Sequence, residues 1–197
     1  MKFEHTQLST TTNILVKGPL LIKPKIFRDE RGFFFESWNQ KDWEDILKQY
    51  NQKPKKFTQD NHSKSSKGVL RGLHFQKEPL PQGKLVRCIH GEIYDVAVDI
   101  RENSSTYGEW IGIYLKSSDH YQFWIPEGFA HGFLTLSQYA EVNYKTTNYW
   151  NKNYEESLLW NDSDLSIDWP LSALNNENLK ISDKDKDAKT FKSFNKS

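Results

Sequence analysis

Short segments in which apolar and polar residues alternate, separated by glycine or proline turns, dominate the middle of this chain. In residues 93–100 an apolar side chain recurs at every second position, from Tyr94 to Ile100. A period of two places these side chains on one face of a β-strand. We predict that residues 84–89 form a hairpin with this strand around Gly91. Further strands are predicted at 110–115, 122–125, 132–136 and 141–147. Short strands at this spacing predict an all-β sandwich or barrel.

One segment has the period of a helix instead. Trp43, Ile46, Leu47 and Tyr50 recur at i, i+3, i+4 and i+7, and Asn39 precedes them. This spacing predicts an amphipathic helix over residues 39–50, with the asparagine as its N-cap.

The length of 197 residues fits one domain, and no repeat or long linker divides the chain. The apolar fraction is only 36%, but aromatic residues supply 14%, so we expect aromatic layers in the core. We expect a single domain over 1–197, with an N-terminal extension over 1–20 and a C-terminal segment over 180–197 whose aspartates reach a site.

The charge balance argues against two classes of partner. Lysine and arginine total 27 and aspartate and glutamate 26, so no net field attracts nucleic acid or an anionic membrane. The single cysteine, Cys88, cannot form an internal disulfide, and its apolar surroundings predict a buried position. The first seven residues lack a signal-peptide pattern and no run is long enough to span a membrane, so we expect a cytoplasmic protein.

A polar block over residues 59–87 is the strongest indication of a site. It combines amide side chains and cations with a histidine, His74, which suits an anionic, polyhydroxylated ligand. Imidazole has an unperturbed pKa of about 6.5 and can accept a proton near neutral pH, so His74 is the candidate base. Arg71 and His74 are three residues apart, so on a regular strand their side chains would point to opposite faces of the sheet. Both can reach one pocket only if the strand is locally irregular, and Gly72 between them permits a bulge.

Pro126, Gly128 and His131 form a Pro-x-Gly-x-x-His pattern that resembles the second motif of cupins, which are small double-sheet jelly rolls. In metal-binding cupins the companion motif contains a His-x-His pair, because a transition metal needs several converging ligands. Here the equivalent is His74-Phe75-Gln76, and no His-x-His occurs in the chain. We therefore expect no metal, and a metal-dependent oxygenase is the disfavoured alternative.

Seven blocks along nearly the whole chain carry a closer resemblance: FRDERGFFFE (27–36), QDN (59–61), LRGLH (70–74), GKLV (83–86), DVAVD (95–99), PEGFAHGF (126–133) and YKTTNY (144–149). In this order they look like the dTDP-4-dehydrorhamnose 3,5-epimerase family. The resemblance implies an all-β double-stranded β-helix, the cupin jelly roll, with one helix in the N-terminal half and a short C-terminal helical segment. It also implies a homodimer.

The family epimerises dTDP-4-dehydro-6-deoxy-D-glucose at C3 and C5 on the path to dTDP-L-rhamnose, without metal or organic cofactor. Both carbons are α to the C4 ketone, so removal of either proton produces an enolate. The chemistry needs a base, a group that stabilises the oxyanion, and an acid on the opposite face of the sugar.

The resemblance assigns these roles to particular residues. His74 matches the base, Lys84 the oxyanion stabiliser and Tyr144 the proton donor, and alternation along its strand directs Tyr144 inward. A carboxylate that orients the histidine matches Asp185 in the pattern Ser-x-Lys-Asp. Because Asp183 and Asp187 lie two residues to either side, the sequence leaves open which of the three aspartates has this role.

The remaining matches concern binding. Substrate contacts are implied for Gln59, Asn61, Arg71, His131, Glu155 and Lys184, and contacts to the neighbouring subunit's substrate for Arg31, Phe33 and Glu36. Trp150 matches an aromatic residue that stacks on thymine, with core packing as the alternative reading.

Two other functions stay open on the sequence. One is an epimerase that acts only at C3 or C5, or on a related nucleotide-linked keto sugar. The other is a non-catalytic sugar-nucleotide binding module, which needs Arg31, Arg71 and Trp150 but has no use for His74, Lys84 and Tyr144. The presence of all the catalytic residue types favours the enzyme.

Overall fold

A computed structural model describes residues 3–175 and 178–194 of the chain. The predicted domain over 1–197 and its two end segments also include residues 1–2, 176–177 and 195–197. These lie outside the described residues. The strands are β1 (Phe3–Ser9), β2 (Leu15–Pro24), β3 (Phe27–Asp29), β4 (Gly32–Phe34), β5 (Gln59–Ser66), β6 (Leu70–Gln76), β7 (Lys84–His90), β8 (Glu92–Asp99), β9 (Trp110–Lys116), β10 (Gln122–Ile125), β11 (Phe129–Thr135), β12 (Tyr139–Thr146) and β13 (Glu155–Ser157). The helices are α1 (Gln40–Gln49), a 3₁₀ helix (Leu171–Leu174), α2 (Asp183–Lys186) and α3 (Phe191–Phe194).

Two antiparallel sheets form the body of the molecule. The six-stranded sheet has the order β1-β2-β10-β7-β12-β5, and the five-stranded sheet has the order β13-β6-β11-β8-β9. Their inner faces meet in a core that includes Val86, Cys88, Ala97, Phe123 and Val142, all buried. The all-β jelly roll predicted from the sequence is confirmed, as is the buried position of the cysteine.

Helix α1 follows the predicted pattern. Its N-cap is Asn39, whose Oδ1 accepts hydrogen bonds from Lys41 N at 3.0 Å and Asp42 N at 3.3 Å. The buried face of the helix covers the outer side of the six-stranded sheet through Trp43, Ile46 and Leu47. No helix within 3–175 or 178–194 is long and apolar enough to cross a membrane.

The predicted hairpin around Gly91 is wrong, although both of its strands exist. β7 pairs with β10 and β12 in the six-stranded sheet, whereas β8 pairs with β9 and β11 in the five-stranded sheet. Gly91, at φ +78°, carries the chain from one sheet to the other. Alternation also misleads here because both faces of β8 are buried: Val96 packs outward against the C-terminal segment, and Asp95 lies inside.

The described segments near both ends of the chain, from residue 3 and up to residue 194, pack onto the sheets. The sequence predicts an extension over 1–20, whereas β1 and β2 pair with each other and β2 pairs with β10. The segment after β13 covers the outer face of the five-stranded sheet through buried Leu158, Leu165, Trp169, Leu174 and Phe191. It returns beside β6, where Leu70 N donates to Lys180 O at 2.9 Å. This return brings the C-terminal aspartates close to His74.

Candidate active site

A cavity of about 310 Å³ lies between the two sheets. The six-stranded sheet contributes Gln59, Asn61, Lys84 and Tyr144, and the five-stranded sheet contributes His74, Gln76 and Glu155; Trp150 lies on the connection between the sheets. Residues separated by up to 96 positions along the sequence therefore line one cavity, because the two facing sheets bring them together.

His74 and Asp185 form a short hydrogen bond in this region. His74 Nε2 lies 2.6 Å from Asp185 Oδ1, and Gly72 N donates to Asp185 Oδ2 at 3.3 Å. Burial alone would raise the pKa of Asp185, but the hydrogen bond from His74, supported by the Gly72 amide and Ser182, holds it below its usual range. An ionised carboxylate only accepts hydrogen bonds, so in the neutral imidazole Nε2 carries the proton and Nδ1 keeps its lone pair.

Helix α2 determines which of the three C-terminal aspartates faces His74. Ser182 is its N-cap, with Oγ accepting from Asp185 N at 3.2 Å, and the helix turns Asp185 inward to 3% exposure. Asp183 pairs with Lys186 in solvent at 3.0 Å, and Asp187 is exposed. Of the three candidate aspartates, the structure brings Asp185 to His74.

The irregularity predicted at Gly72 is confirmed. His74 pairs with His131 and Arg71 with Phe133, so three steps along β6 match two along β11. Gly72 has φ +129°, and a Cβ there would lie 2.5 Å from Gly132 Cα. With the register shifted, Arg71 and His74 border a common second cavity of about 340 Å³. Arg71 is fixed by a 3.1 Å bond from Nε to Ser65 Oγ.

Lys84 is a buried cation that faces His74 from the other sheet. Its Nζ donates to the backbone oxygen of His74 at 3.1 Å, and the residue is 7% exposed. Burial lowers the pKa of Lys84 to about 8, although the carboxylates of Asp95 and Glu155 favour the charged form. The ammonium is therefore largely charged at neutral pH and points toward the same cavity as the base.

Tyr144 occupies the inner face of β12, as its alternation predicted. Ala140 and Val142 on the same face are fully buried, and the phenol lines the cavity. Burial raises the pKa of Tyr144, with a smaller opposing influence from Arg71. The phenol is therefore protonated at neutral pH and can donate.

His131 lies behind the cavity wall. The residue is 6% exposed, and its Nε2 lies 2.6 Å from Oδ1 of Asp95, which is itself fully buried. Burial lowers the pKa of His131 against the attraction of Asp95. Sequence reasoning assigned no role to Asp95, although a carboxylate on the inner face of a core strand is a signal in itself, because buried carboxylates need partners.

The binding candidates form a connected rim. Gln59 Nε2 donates to Asn61 Oδ1 at 2.9 Å, and Gln59 Oε1 accepts from Trp150 N at 2.9 Å. Trp150 is 53% exposed, which removes the core-packing reading of this residue. Glu155 pairs with Lys184 at 2.6 Å; burial would raise the pKa of Glu155, but hydrogen bonds from Lys184 and Trp150 keep it below its usual value.

Gln76 shapes the adjoining loop. Its Nε2 donates to Leu80 O at 2.7 Å and to Tyr149 O at 3.2 Å, and its Oε1 accepts from Asn151 N at 2.6 Å. These bonds engage both polar atoms of the Gln76 side chain. Gln76 stands at the position where a metal-binding cupin has a ligand. Within the described ranges there is no group of three or more His, Cys, Asp or Glu side chains placed to hold a metal ion.

Three candidates lie away from the cavity of their own chain. Arg31 pairs with Asp29 at 2.5 Å on the β3–β4 hairpin, and Phe33 is 55% exposed with its ring 4.5 Å from that of His120. Glu36 accepts from Asn39 Nδ2 at 3.2 Å. The structure does not bring these residues together with His74.

A family model for dTDP-4-dehydrorhamnose 3,5-epimerase matches residues 13–193. The chain belongs to the dTDP-4-dehydrorhamnose 3,5-epimerase family. The epimerase of this name from Salmonella typhimurium is 57% identical over 155 residues, covering 79% of this chain and 82% of the relative. The Pseudomonas aeruginosa epimerase is 48% identical over 180 residues, covering 91% and 94%.

A solved epimerase from Legionella pneumophila, in complex with dTDP-4-keto-L-rhamnose, is also similar. It has a TM-score of 0.84 and 45% identity, over 95% of this chain and 93% of the other. The jelly roll of this epimerase-family chain is therefore similar to one that holds a nucleotide-linked keto sugar. Its cavity combines an imidazole with a free ring nitrogen, a buried ammonium and a neutral phenol, which are the groups that carbanion chemistry beside a ketone requires.

Proposed function

We propose that this protein epimerises dTDP-4-dehydro-6-deoxy-D-glucose at C3 and C5 to dTDP-4-dehydro-L-rhamnose, as an isomerase of dTDP-L-rhamnose biosynthesis. One observation carries the proposal. His74, held by Asp185, belongs to one sheet, and Lys84 and Tyr144 belong to the other, with one cavity between them. Family membership and the keto sugar bound by the Legionella relative support the substrate class.

Proton removal falls to His74. With Nε2–H donating to Asp185 Oδ1 at 2.6 Å, the base is the lone pair of Nδ1. When Nδ1 takes the proton from C5 or C3, the imidazolium that forms is stabilised by the ionised Asp185 at its other nitrogen. The carboxylate thus acts on the tautomer and the charge of the ring and does not touch the sugar.

Lys84 receives the charge that develops during this step. Deprotonation next to the C4 ketone moves the negative charge to the ketone oxygen, and a buried ammonium is a strong partner for it because little water competes. The 3.1 Å bond to His74 O fixes the ammonium relative to the base before substrate arrives. The same Lys84 serves both enolates because C3 and C5 share one ketone.

Tyr144 completes the inversion. A carbon changes configuration only when the new proton arrives on the face opposite to the base. Tyr144 reaches the cavity from the six-stranded sheet, whereas His74 reaches it from the five-stranded sheet. The raised pKa of the phenol keeps a proton available at neutral pH.

The nucleotide would be held at the rim. Arg71 and Lys184 supply cations for the diphosphate, and Gln59 and Asn61 supply amides for polar groups of the sugar and base. The exposed indole of Trp150 offers a stacking face for thymine, a contact worth about 1 to 3 kcal/mol. Glu155 lines the cavity and pairs with Lys184, whereas His131 lies behind the cavity wall and is paired with Asp95.

We also propose a cytoplasmic homodimer in which Arg31, Phe33 and Glu36 complete the partner's site. The support is the β3–β4 hairpin, where Phe27, Phe33 and Phe34 are 51%, 55% and 71% exposed. Three exposed phenylalanines on six paired residues favour a covered surface. The lone buried thiol of Cys88 and a nucleotide-sugar substrate suit the reducing cytoplasm, where the product would feed cell-surface polysaccharide.

A product assay tests the reaction. Purified protein is incubated with dTDP-4-dehydro-6-deoxy-D-glucose, and the sugar ring couplings are followed by proton NMR. We expect conversion to the L-rhamno product, inverted at both carbons, in chelator-treated buffer. Inversion at one carbon would select the single-position epimerase, and a substrate that binds unchanged would select the non-catalytic binding module.

A further inference from the structure

A separate, larger cavity lies on the outer side of the six-stranded sheet. It has a volume of about 610 Å³ and is bordered by the end of α1, by β2 and by the turn after β10. It shares no lining residue with the cavity that contains His74. The proposed epimerase chemistry makes no use of it.

The charged side chains around this cavity are mostly of one sign. Lys17, Lys53, Lys55 and Arg101 are cationic, and Glu127 is the acidic residue in the lining. The chain as a whole has a formal net charge of only +1, so this excess of cations is local. Concave surfaces lined by one sign of charge concentrate counter-ions.

Arg101 is held rigidly at this cavity. Its Nε donates to Asp99 Oδ1 at 2.8 Å and its Nη2 to Asp99 Oδ2 at 2.6 Å. Asp99 is fully buried and also accepts from Ser104 Oγ at 2.6 Å and Thr106 Oγ1 at 2.7 Å. The guanidinium also lies 4.6 Å from the ring centre of Phe129. A fixed, stacked guanidinium loses little conformational entropy when an anion binds.

The base of the cavity is also ordered. Gln52 Nε2 donates to Gly18 O at 2.7 Å, and Gln52 Oε1 accepts from the buried indole of Trp124 at 2.9 Å. Lys55 is paired with Glu127 at 2.5 Å. Lys17 and Lys53 are exposed, and neither ammonium has an ion pair within the described part of the chain.

We propose that this cavity binds a small polyvalent anion of the phosphate class, such as a diphosphate group. Asp99 occupies Nε and Nη2 of Arg101, so Nη1 is the nitrogen that this fixed guanidinium offers to a phosphate oxygen. Lys17 and Lys53 supply the ammonium groups that lack a counter-charge. Several cations around one concave surface favour a ligand with more than one negative charge over a simple carboxylate. The site is separate from the nucleotide site proposed above.

The probe is inorganic pyrophosphate, titrated into ¹⁵N-labelled full-length protein at constant ionic strength and followed by NMR. The indole N–H of Trp124 and the side-chain amide of Gln52 report on this cavity, whereas the indole of Trp150 reports on the catalytic cavity. We expect saturable shifts of the Trp124 and Gln52 signals. Acetate at the same ionic strength should leave both signals in place.

A pair of double variants makes the test specific. Lys17→Gln with Lys53→Gln should weaken pyrophosphate binding at the Trp124 and Gln52 signals at least fivefold. Lys41→Gln with Lys116→Gln removes the same charge from exposed positions elsewhere and should leave the affinity unchanged. Shifts confined to Trp150, no saturable shift at all, equal shifts with acetate, or equal weakening in both variants would overturn the proposal.

Discussion

At the scale of single residues, the proposed chemistry depends on three titratable groups that differ in protonation. Burial would raise the pKa of Asp185, but the hydrogen bond and charge attraction from His74, with the contacts to Gly72 and Ser182, together keep this pKa below its usual value and the carboxylate ionised. Tyr144 is kept protonated by burial, and Lys84 has its pKa lowered to about 8 by burial while it faces the same cavity. A carboxylate, an ammonium and a phenol thus perform different tasks within one site because their surroundings differ.

Replacement of Asp185 by asparagine should remove the orientation of the base without changing the volume of the side chain. An amide donates as readily as it accepts, so Nε2 is no longer required to carry the proton. We expect kcat to fall about 10³-fold to 10⁴-fold, as for a triad aspartate, with a much smaller change in KM. Steady-state kinetics measure both. Asp183→Asn in the same helix is the control and should retain activity, because its side chain is 94% exposed. Loss of activity in both variants would contradict the assignment of Asp185.

The pKa of Lys84 predicts a pH limit. The ammonium is charged below its pKa of about 8 and loses its charge as the pH rises through that value, so kcat/KM should decline on the alkaline side. The profile is measured between pH 6 and 10 at constant ionic strength. Lys84→Arg, which stays charged throughout, should show no such decline, even if its maximal rate is lower. If kcat/KM of Lys84→Arg declined at alkaline pH as it does in the native protein, the decline would belong to another group.

Tyr144→Phe should separate proton removal from inversion. The variant keeps His74 and Lys84, so hydrogen exchange with solvent should continue at one or both carbons. Delivery of a proton to the opposite face should fall about 10²-fold or more, the usual contribution of a positioned acid. Deuterium uptake and product formation, measured in parallel by NMR, distinguish the two steps. Equal loss of exchange and inversion would place the phenol in the first step instead.

At the scale of elements, the path of β6 decides whether the site forms. Gly72 at φ +129° approaches Gly132 so closely that a side chain has no room, and the resulting register shift directs Arg71 and His74 to a common cavity. Glycine is needed here both for its conformation and for its lack of a Cβ.

Two alanine substitutions separate these requirements. Gly32→Ala at φ +128° has open space around the added Cβ, so it should lower the free energy of unfolding by about 1 to 2 kcal/mol through backbone strain alone. Gly72→Ala adds a clash with backbone at 2.5 Å and should cost a further ~1 to 3 kcal/mol. Urea unfolding measures both. Equal losses of stability would show that the contact with Gly132 is unimportant.

Local signals predicted individual elements better than their pairing. The period of α1 and the cap at Asn39 are encoded within a dozen residues, and so are the strands of the central region. The pairing partner of β7 is not encoded locally, because alternation shows which face of a strand is buried and not which strand lies beside it. β1 and β2 escaped prediction because their exposed and buried residues alternate irregularly across a register shift at Gln7 and Leu8.

The site shows the same division. His74, Lys84 and Tyr144 lie on strands whose inner faces could be inferred, and they meet at one cavity. The choice among Asp183, Asp185 and Asp187 depended on how a four-residue helix docks against β6, which is a long-range property. Asp95 was overlooked because its partner, His131, lies 36 positions away.

At the scale of the whole molecule, the proposed dimer predicts complementation between inactive chains. Arg31→Ala removes a residue proposed to serve the partner's site, and His74→Ala inactivates its own site. In a heterodimer of the two variants, one site retains both groups. After unfolding and refolding as an equal mixture, about a quarter of the sites should be active, whereas each variant refolded alone should stay inactive. No recovery, with dimers verified by light scattering, would contradict a shared site.

The central claim is that His74 removes a proton from both carbons that flank the ketone. The most direct measurement incubates the protein with dTDP-4-dehydro-6-deoxy-D-glucose in D₂O and follows deuterium at C3 and C5 by NMR. We expect label at both carbons with the native protein and at neither with His74→Ala. Normal exchange by His74→Ala, or no exchange by the native protein, would contradict this claim.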